Sequence, residues 1–253
     1  MSPDQSVLDY LTSVAEQRGA GYLVLVDPDG VDADGVARLA EAGAHAGVDA
    51  FLVGGSLLMR DSLDDTVQQL REASGLPTIL FPGGSTQLSA HADAILFLSL
   101  LSGRNPEFLI GEQVRAAPII REYDLEPIPT AYLLIEGGVY TSVQFMSGTF
   151  PIPRDKPDIA MAHALTAQYL GMKLLYLEGG SGAKWAVPDE MIRCTRAYTD
   201  LPVIVGGGIT KPEMAAAKVR AGAHFVVTGN VLEGDGSALL LQEFSRAVHG
   251  AAG

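Results

Sequence analysis

A chain of 253 residues with 47% hydrophobic content suffices for one large core and has the usual size of a single α/β barrel. A formal charge of −13 argues against a nucleic-acid surface, which needs clustered lysine and arginine, and it opposes a phosphate ligand unless local donors or a divalent cation offset it. The longest apolar run, 95–101, is too short to cross a bilayer, and the opening Met-Ser-Pro-Asp-Gln has neither the basic patch nor the apolar block of a signal peptide. The expectation is a soluble, unprocessed, cytoplasmic protein with one domain over 1–253. Cys194, the only cysteine, leaves no intramolecular disulfide and no cysteine metal site, and is expected in the core or flank of a helix. The histidines (His45, His91, His163, His224, His249) fall at no metal-ligand spacing and read as structural.

In chain order, Ser2-Pro-Asp-Gln5 has a capping-box pattern that opens an N-terminal helix. Apolar runs of strand character follow at 22–26, 50–53, 78–81, 94–98, 131–135, 174–177, 203–205 and 225–227, with amphipathic stretches between most of them. The connection from Pro82 to Asp93 is too short for a full helix, so one barrel helix is expected to be missing or replaced there. Thr210-Lys-Pro-Glu213 repeats the capping pattern, with Pro212 in the first turn of an alanine-rich helix to Arg220. Eight buried parallel strands joined by crossovers predict a (β/α)8 TIM barrel. The competing fold, an open doubly wound sheet, expects Gly-x-Gly-x-x-Gly after its first strand, where this chain has Asp27-Pro-Asp-Gly30.

Three later strands end in glycines: Tyr-Leu-Glu-Gly-Gly-Ser-Gly at 176–182, Val-Gly-Gly-Gly-Ile at 205–209 and Val-Val-Thr-Gly-Asn at 226–230. Glycine lets backbone N–H groups approach an anion closely, and barrels of this kind commonly bind phosphate after strands seven and eight, so the three read as a phosphate cup. A barrel gathers all C-terminal strand ends at one mouth. That mouth would hold Asp27 and Asp29, Gly54-Gly55-Ser56, Phe81 to Gly84, Glu136, Tyr176, Glu178, Gly206 to Gly208, Gly229 and Asn230.

Asp27 and Ser56 end neighbouring strands, and either share a hard cation such as Mg2+ or cap the helices that follow. Glu178 directly follows a buried strand and faces the glycine donors, where a second negative charge is costly without a task. It reads as a base that takes a proton from a substrate hydroxyl, against the competing reading of a salt bridge to Lys184.

Taken in order, Val-Asp-Pro-Asp (26–29), Gly-Gly-Ser (54–56), Phe-Pro-Gly (81–83), Ser-Leu-Leu-Ser-Gly-Arg-Asn-Pro (99–106), Pro-Ile-Pro-Arg-Asp-Lys-Pro (151–157), Gln-Tyr-Leu-Gly-Met (168–172) and the glycine-bearing strand ends make a specific pattern. By it the chain resembles the geranylgeranylglyceryl phosphate synthase family of TIM-barrel prenyltransferases, in particular its second subgroup, over nearly its whole length. The resemblance implies transfer of a polyprenyl group, most often geranylgeranyl, from its diphosphate to the 3-hydroxyl of sn-glycerol 1-phosphate. It implies that Tyr176, Leu177, Glu178, Gly179, Gly180, Ser181, Gly182, Gly207, Gly208, Gly229 and Asn230 bind sn-glycerol 1-phosphate. It implies further that Asp27 and Ser56 hold Mg2+, that Glu178 and Asp27 are catalytic, and that the protein is a homo-oligomer, dimeric or hexameric.

The chain departs from the family wording at Gly30, where members often carry lysine, at Leu25, where the family's first subgroup carries lysine, and in the segment 137–150. A basic phosphate contact is then absent or falls to Arg104, Arg154 or Lys211. Tyr132, Leu134, Tyr140, Phe145, Met146, Phe150 and Trp185 are candidates to line an isoprenoid groove, although plain core is the more ordinary reading of each. The alternatives are a phosphate-binding barrel isomerase or lyase of the amino-acid biosynthesis type, a non-catalytic phosphate or lipid-binding barrel, and a prenyltransferase with another donor length or acceptor.

Overall fold

The computed structural model describes residues 5–229 and 237–251. Strands β1 (Gly21–Val26), β2 (Ala50–Val53), β3 (Thr78–Leu80), β4 (Ala94–Leu100), β5 (Glu126–Leu134), β6 (Leu174–Glu178), β7 (Val203–Gly206) and β8 (Phe225–Thr228) form a closed barrel, with every neighbouring pair parallel and β8 returning to β1. Around it run α1 (Val7–Arg18), α2 (Ala33–Ala46), α3 (Leu63–Ser74), α4 (Glu112–Glu122), α5 (Ser142–Ser147), α6 (Pro157–Tyr169), α7 (Asp189–Arg196), α8 (Pro212–Arg220) and α9 (Ser237–His249). A π-helical turn, Glu107–Gly111, precedes α4. Among the described residues no helix lies between β3 and β4, as the short connection requires, and none is long and apolar enough to cross a membrane.

Successive side chains of a strand point to opposite faces, and the burial follows that alternation. Leu23, Leu52, Ile79, Leu96, Tyr132, Tyr176, Ile204 and Val227 fill the barrel, while Val24, Phe51, Leu80, Ile95, Leu133, Leu177, Val205 and Val226 pack under the helices. Both layers are apolar, which is why the strands read as continuous runs rather than as alternating patterns.

β5 begins five residues earlier than the sequence suggests, because Pro127 and Pro129 mask its start. The Pro129 carbonyl accepts from Lys173 N–H at 2.7 Å, so the nitrogens of both prolines face the side on which β6 has not yet begun. The donors they lack are therefore not needed for pairing with β4.

The first helix opens at Ser6, whose hydroxyl accepts from Asp9 N–H at 3.1 Å; the expected cap Ser2 lies outside the described residues. Glu126 takes the Val7 and Leu8 N–H groups at 2.5 and 3.1 Å, and Val7 and Leu11 join the inner cluster, so α1 closes the barrel floor. Thr210 does not cap α8 as its spacing suggests: Lys211 occupies the cap position, and the Thr210 hydroxyl lies 3.6 Å from Met214 Sδ. Cys194 is half-buried on α7.

Asp49, 1% exposed, ties the ends of the chain together. Its carboxylate accepts from Tyr22 N–H at 2.7 Å and contacts Arg18 at 2.9 Å and His249 Nε2 at 2.8 Å. His224 accepts the Val203 N–H on Nδ1 at 3.0 Å; burial, reinforced by Arg196, pushes its pKa down to about 4 and keeps it neutral. Replacing Asp49 with alanine orphans a buried backbone donor and breaks the link to α9. Urea denaturation of Asp49→Ala is expected to show a loss of about 2–4 kcal/mol.

Candidate active site

The C-terminal strand ends surround a cavity of about 460 Å³. One end is bounded by Asp27, Ser56, Tyr176, Glu178 and the glycines 180, 182, 207, 208 and 229; the other by Leu88, Leu96, Leu98, Leu100, Phe108 and Ala116, with Val143 and Met146 of α5 also in its wall. Among the described residues its charged lining is Asp27, Glu112 and Glu178, with no lysine or arginine. No side-chain cation of the lining can meet an anionic ligand here, so the open backbone amides are the donors that can.

Glu178 ends β6 between Leu134 of β5 and Gly206 of β7, and is 5% exposed. Its Oε1 accepts the Gly180 N–H at 2.5 Å. Burial pushes its pKa up to about 7, and the Gly180 amide and the nearby Tyr176 hydroxyl only partly offset this. The competing salt bridge does not form: Lys184 Nζ stands 5.1 Å from the Trp185 ring centroid instead.

Tyr176 stacks on Phe81 at 5.1 Å and meets Tyr132 edge-on at 5.5 Å. Its buried hydroxyl sits in the field of Glu178, yet no hydrogen bond of ordinary geometry closes between them or to any other described group. Burial and the Glu178 charge raise the Tyr176 pKa well above the usual phenol value, so it remains a neutral donor.

The glycines at the end of β7 and just beyond it create the space for this pair. A Cβ at Gly206 would stand 2.5 Å from the Tyr176 hydroxyl and 2.8 Å from Glu178 Oε2, and one at Gly207 would stand 2.3 Å from Glu178 Oε1. Gly180, Gly182, Gly207 and Gly208 all have positive φ. Not all of their amides are open: Gly179 N–H bonds Gly206 O at 3.0 Å and Gly180 N–H is held by Glu178. The Gly182, Gly207 and Gly208 N–H groups bond no acceptor among the described residues and remain available. Leu177 faces the helices, so it can reach a ligand only through its backbone. Ser181 is exposed beside Gly182 and also borders the cavity, and Asn230 lies outside the described residues.

Asp27 and Ser56 both line the cavity, and neither caps a helix. Asp32 caps α2, accepting Gly35 N–H at 2.8 Å, and α3 begins only at Leu63. Asp27 Oδ1 takes Asp29 N–H at 3.0 Å, and Oδ2 lies 3.4 Å from the point where a Gly55 Cβ would stand. Asp29 is not a site residue: its carboxylate is taken by Met59 N–H at 2.5 Å and Arg60 N–H at 3.1 Å. Glu136 also falls outside the cavity and accepts Arg154 N–H at 3.5 Å.

The proposed basic contacts point elsewhere. Arg104 donates to Gly103 O at 2.7 Å and Arg154 to Ala186 O at 2.9 Å, and neither they nor Lys211 line the cavity. Of the groove candidates, Tyr132 and Leu134 are buried inside the barrel, Tyr132 also lining the cavity, while Tyr140, Phe145, Met146, Phe150 and Trp185 are not core: they are 42–88% exposed, with Met146 also reaching the cavity. The apolar wall is built largely from β4, the π-helical turn and α4 instead.

Fold and site together are those of a (β/α)8-barrel enzyme with its chemistry at the C-terminal face. The PcrB family model matches residues 12–248. The geranylgeranylglyceryl phosphate synthase of Thermococcus kodakarensis is 47% identical over 234 residues, covering 90% of this chain and 92% of that protein. Its namesake in Chitinophaga pinensis is 45% identical over 231 residues, 91% of each chain. The crystal structure of (S)-3-O-geranylgeranylglyceryl phosphate synthase from Thermoplasma acidophilum, in complex with its substrate sn-glycerol-1-phosphate, superposes with a TM-score of 0.92 at 35% identity, covering 97% of this chain and 99% of that one. The chain belongs to the PcrB family, and its enzyme class is prenyltransferase. That membership removes the isomerase, lyase and non-catalytic readings.

The raised pKa of Glu178 carries a sign that can be tested. Between the ordinary value of 4.5 and the folded value of about 7 the folded state holds the extra proton, so its stability falls as pH rises through that window. Glu178→Gln cannot ionise. Urea denaturation is expected to show the variant gaining up to about 3 kcal/mol on the parent between pH 4.5 and 8, whereas a pH-independent difference would mean that the carboxyl titrates normally.

Proposed function

We propose that this protein transfers a polyprenyl group, most often geranylgeranyl, from its diphosphate to the 3-hydroxyl of sn-glycerol 1-phosphate, releasing diphosphate and an ether-lipid precursor. One observation carries the reading: a buried carboxylate with a pKa near 7 stands where open glycine amides meet an apolar groove in the same cavity. The relatives' names and the bound sn-glycerol-1-phosphate of the Thermoplasma acidophilum enzyme support prenyl transfer to glycerol phosphate.

In this reading the Gly182, Gly207 and Gly208 amides, with Gly229, Ser181 and Asn230, hold the acceptor phosphate, and Tyr176 donates to an acceptor oxygen. Glu178 takes the proton from the 3-hydroxyl as its oxygen forms the bond to the allylic carbon with inversion. The bond from that carbon to the diphosphate breaks, and the diphosphate leaves with the electron pair. A base with pKa near 7 is half ionised at neutral pH, where proton acceptance is most effective. The apolar wall takes the isoprenoid tail.

Mg2+ fits the donor set: Asp27 Oδ2 and the Ser56 hydroxyl are oxygen donors without hydrogen-bond partners among the described residues, and this cation usually keeps only one or two protein groups. When bound, Mg2+ would stabilise the charge that develops on the departing diphosphate. A homo-oligomer, dimeric or hexameric, belongs to the same proposal, and sedimentation velocity measures it.

The test is product formation from sn-glycerol 1-phosphate, Mg2+ and a panel of prenyl diphosphates, with sn-glycerol 3-phosphate as the mirror-image control. Ether from the 1-phosphate with a preferred donor is the expected outcome; absence of product with every donor, despite acceptor binding, would overturn the reading. Glu178→Gln is expected to keep acceptor binding while kcat falls about 10²- to 10⁴-fold. The parent's kcat/KM should decline below about pH 7, and that limb should vanish in the variant. Asp27→Ala should raise the KM for donor and the Mg2+ requirement more than the KM for acceptor.

A further inference from the structure

We propose that Gln87 is a positioning residue that fixes Ser56 against Asp27 and so sets the diphosphate end of the donor site. The proposal rests on the reading that Asp27 and Ser56 hold the cation-bound diphosphate. Gln87 lies in the connection between β3 and β4, the one place among the described barrel junctions where no helix follows the strand. Lacking a helix, the chain turns inward, and Gln87 is left 7% exposed without lining the cavity.

Its amide joins two loops. Oε1 accepts the Gly83 N–H at 3.0 Å and the Gly55 N–H at 3.3 Å, while Nε2 donates to Gly55 O at 2.8 Å. A primary amide is suited to this because it donates and accepts side by side, as the backbone of Gly55 does; a carboxylate lacks the donor and an aliphatic chain lacks both.

The loops that it clasps touch backbone to backbone. A Cβ at Gly54 would stand 2.1 Å from Phe81 O, and one at Gly83 would stand 2.3 Å from Gly55 O and 2.9 Å from Ser56 O. Gly54 also has φ +151°, in the region that favours glycine. Gly55 in turn sits beside Asp27 Oδ2, so a shift of Gly55 changes the spacing between Asp27 and Ser56. On the far side, the Glu112 carboxylate of α4 accepts the Ser85 N–H and anchors the same connection. The clasp also narrows which donors the glycine loops offer: the Gly55 and Gly83 amides are spent on Gln87, while the Ser56 N–H and hydroxyl and the Gly84 N–H bond no acceptor among the described residues.

The experiment uses Gln87→Leu and the isosteric Gln87→Glu in the full chain, with Asp27→Ala alongside. Amide hydrogen exchange without any ligand reads the clasp itself: Gln87→Leu, which lacks the acceptor, is expected to exchange faster at Gly55 and Gly83, whereas Gln87→Glu keeps the acceptor and loses only the donor to Gly55 O. Titrations of prenyl diphosphate, Mg2+ and sn-glycerol 1-phosphate read its effect. The donor KM and the Mg2+ requirement are expected to rise about 10- to 100-fold while the acceptor KM stays nearly unchanged. Calorimetric titration with inorganic diphosphate and Mg2+ should weaken in parallel. Unchanged donor and Mg2+ dependence, or an equal loss for the acceptor, overturns the proposal. If Asp27→Ala also leaves donor and Mg2+ dependence untouched, the cation reading has failed; if only the Gln87 variants do, the clasp alone has. Gln87→Glu keeps the side-chain shape and decides the matter should Gln87→Leu not fold.

Discussion

The site depends on one steric permission: nothing larger than hydrogen can stand at Gly206 or Gly207. Because no Cβ is there, Glu178 and Tyr176 can sit against the backbone of the adjacent strand end, out of water, and burial then lifts the carboxyl toward neutrality. A glycine run that looks, in sequence, like an anion cradle thus has a second duty toward the protein's own acid. The two duties divide the loop: the Gly180 amide serves Glu178, and the amides of Gly182, Gly207 and Gly208 remain for a ligand. The same residues that lift the Glu178 pKa therefore also limit how many amide donors are left for a ligand.

Electrostatics push the same way. A cavity whose described charges are all carboxylates, in a chain of charge −13, gives no Coulombic attraction to an anionic ligand. The oriented backbone dipoles of the glycine loops are the positive potential that this lining offers in place of lysine and arginine. Arg104, Arg154 and Lys184 are instead engaged with loop carbonyls or the Trp185 ring, where they brace the rim.

Much of this was legible in the amino-acid order, for physical reasons. Strands buried on both faces leave unbroken apolar runs, and glycines that must avoid a collision leave themselves in the sequence, so the barrel, Glu178 and its glycines could be read directly. The first half of β5 could not, because Pro127 and Pro129 argue locally against a strand that only its unpaired side tolerates. Asp29 and Glu136 resembled site residues because position along a strand end does not tell which amides a carboxylate meets. Gln87 carried no periodic signal, and its one clue was a long amide in a short glycine-rich connection. The wall formed by Leu96, Leu98, Leu100 and Phe108 was hidden because an inward leucine looks like any core leucine until the neighbouring helix is found missing.

The way the barrel floor is sealed bears on how the chain comes into being. α1 precedes the strands, yet the acid that satisfies its opening amides comes 119 residues later, and the aspartate that anchors α9 lies 200 residues before its histidine. α1 rests on β1, which follows it directly, but its opening amides find their acceptor only once β5 exists, and the ring cannot close by halves. The floor shuts only once β5 is in place, so a barrel assembled as far as β4 leaves apolar surface open to water.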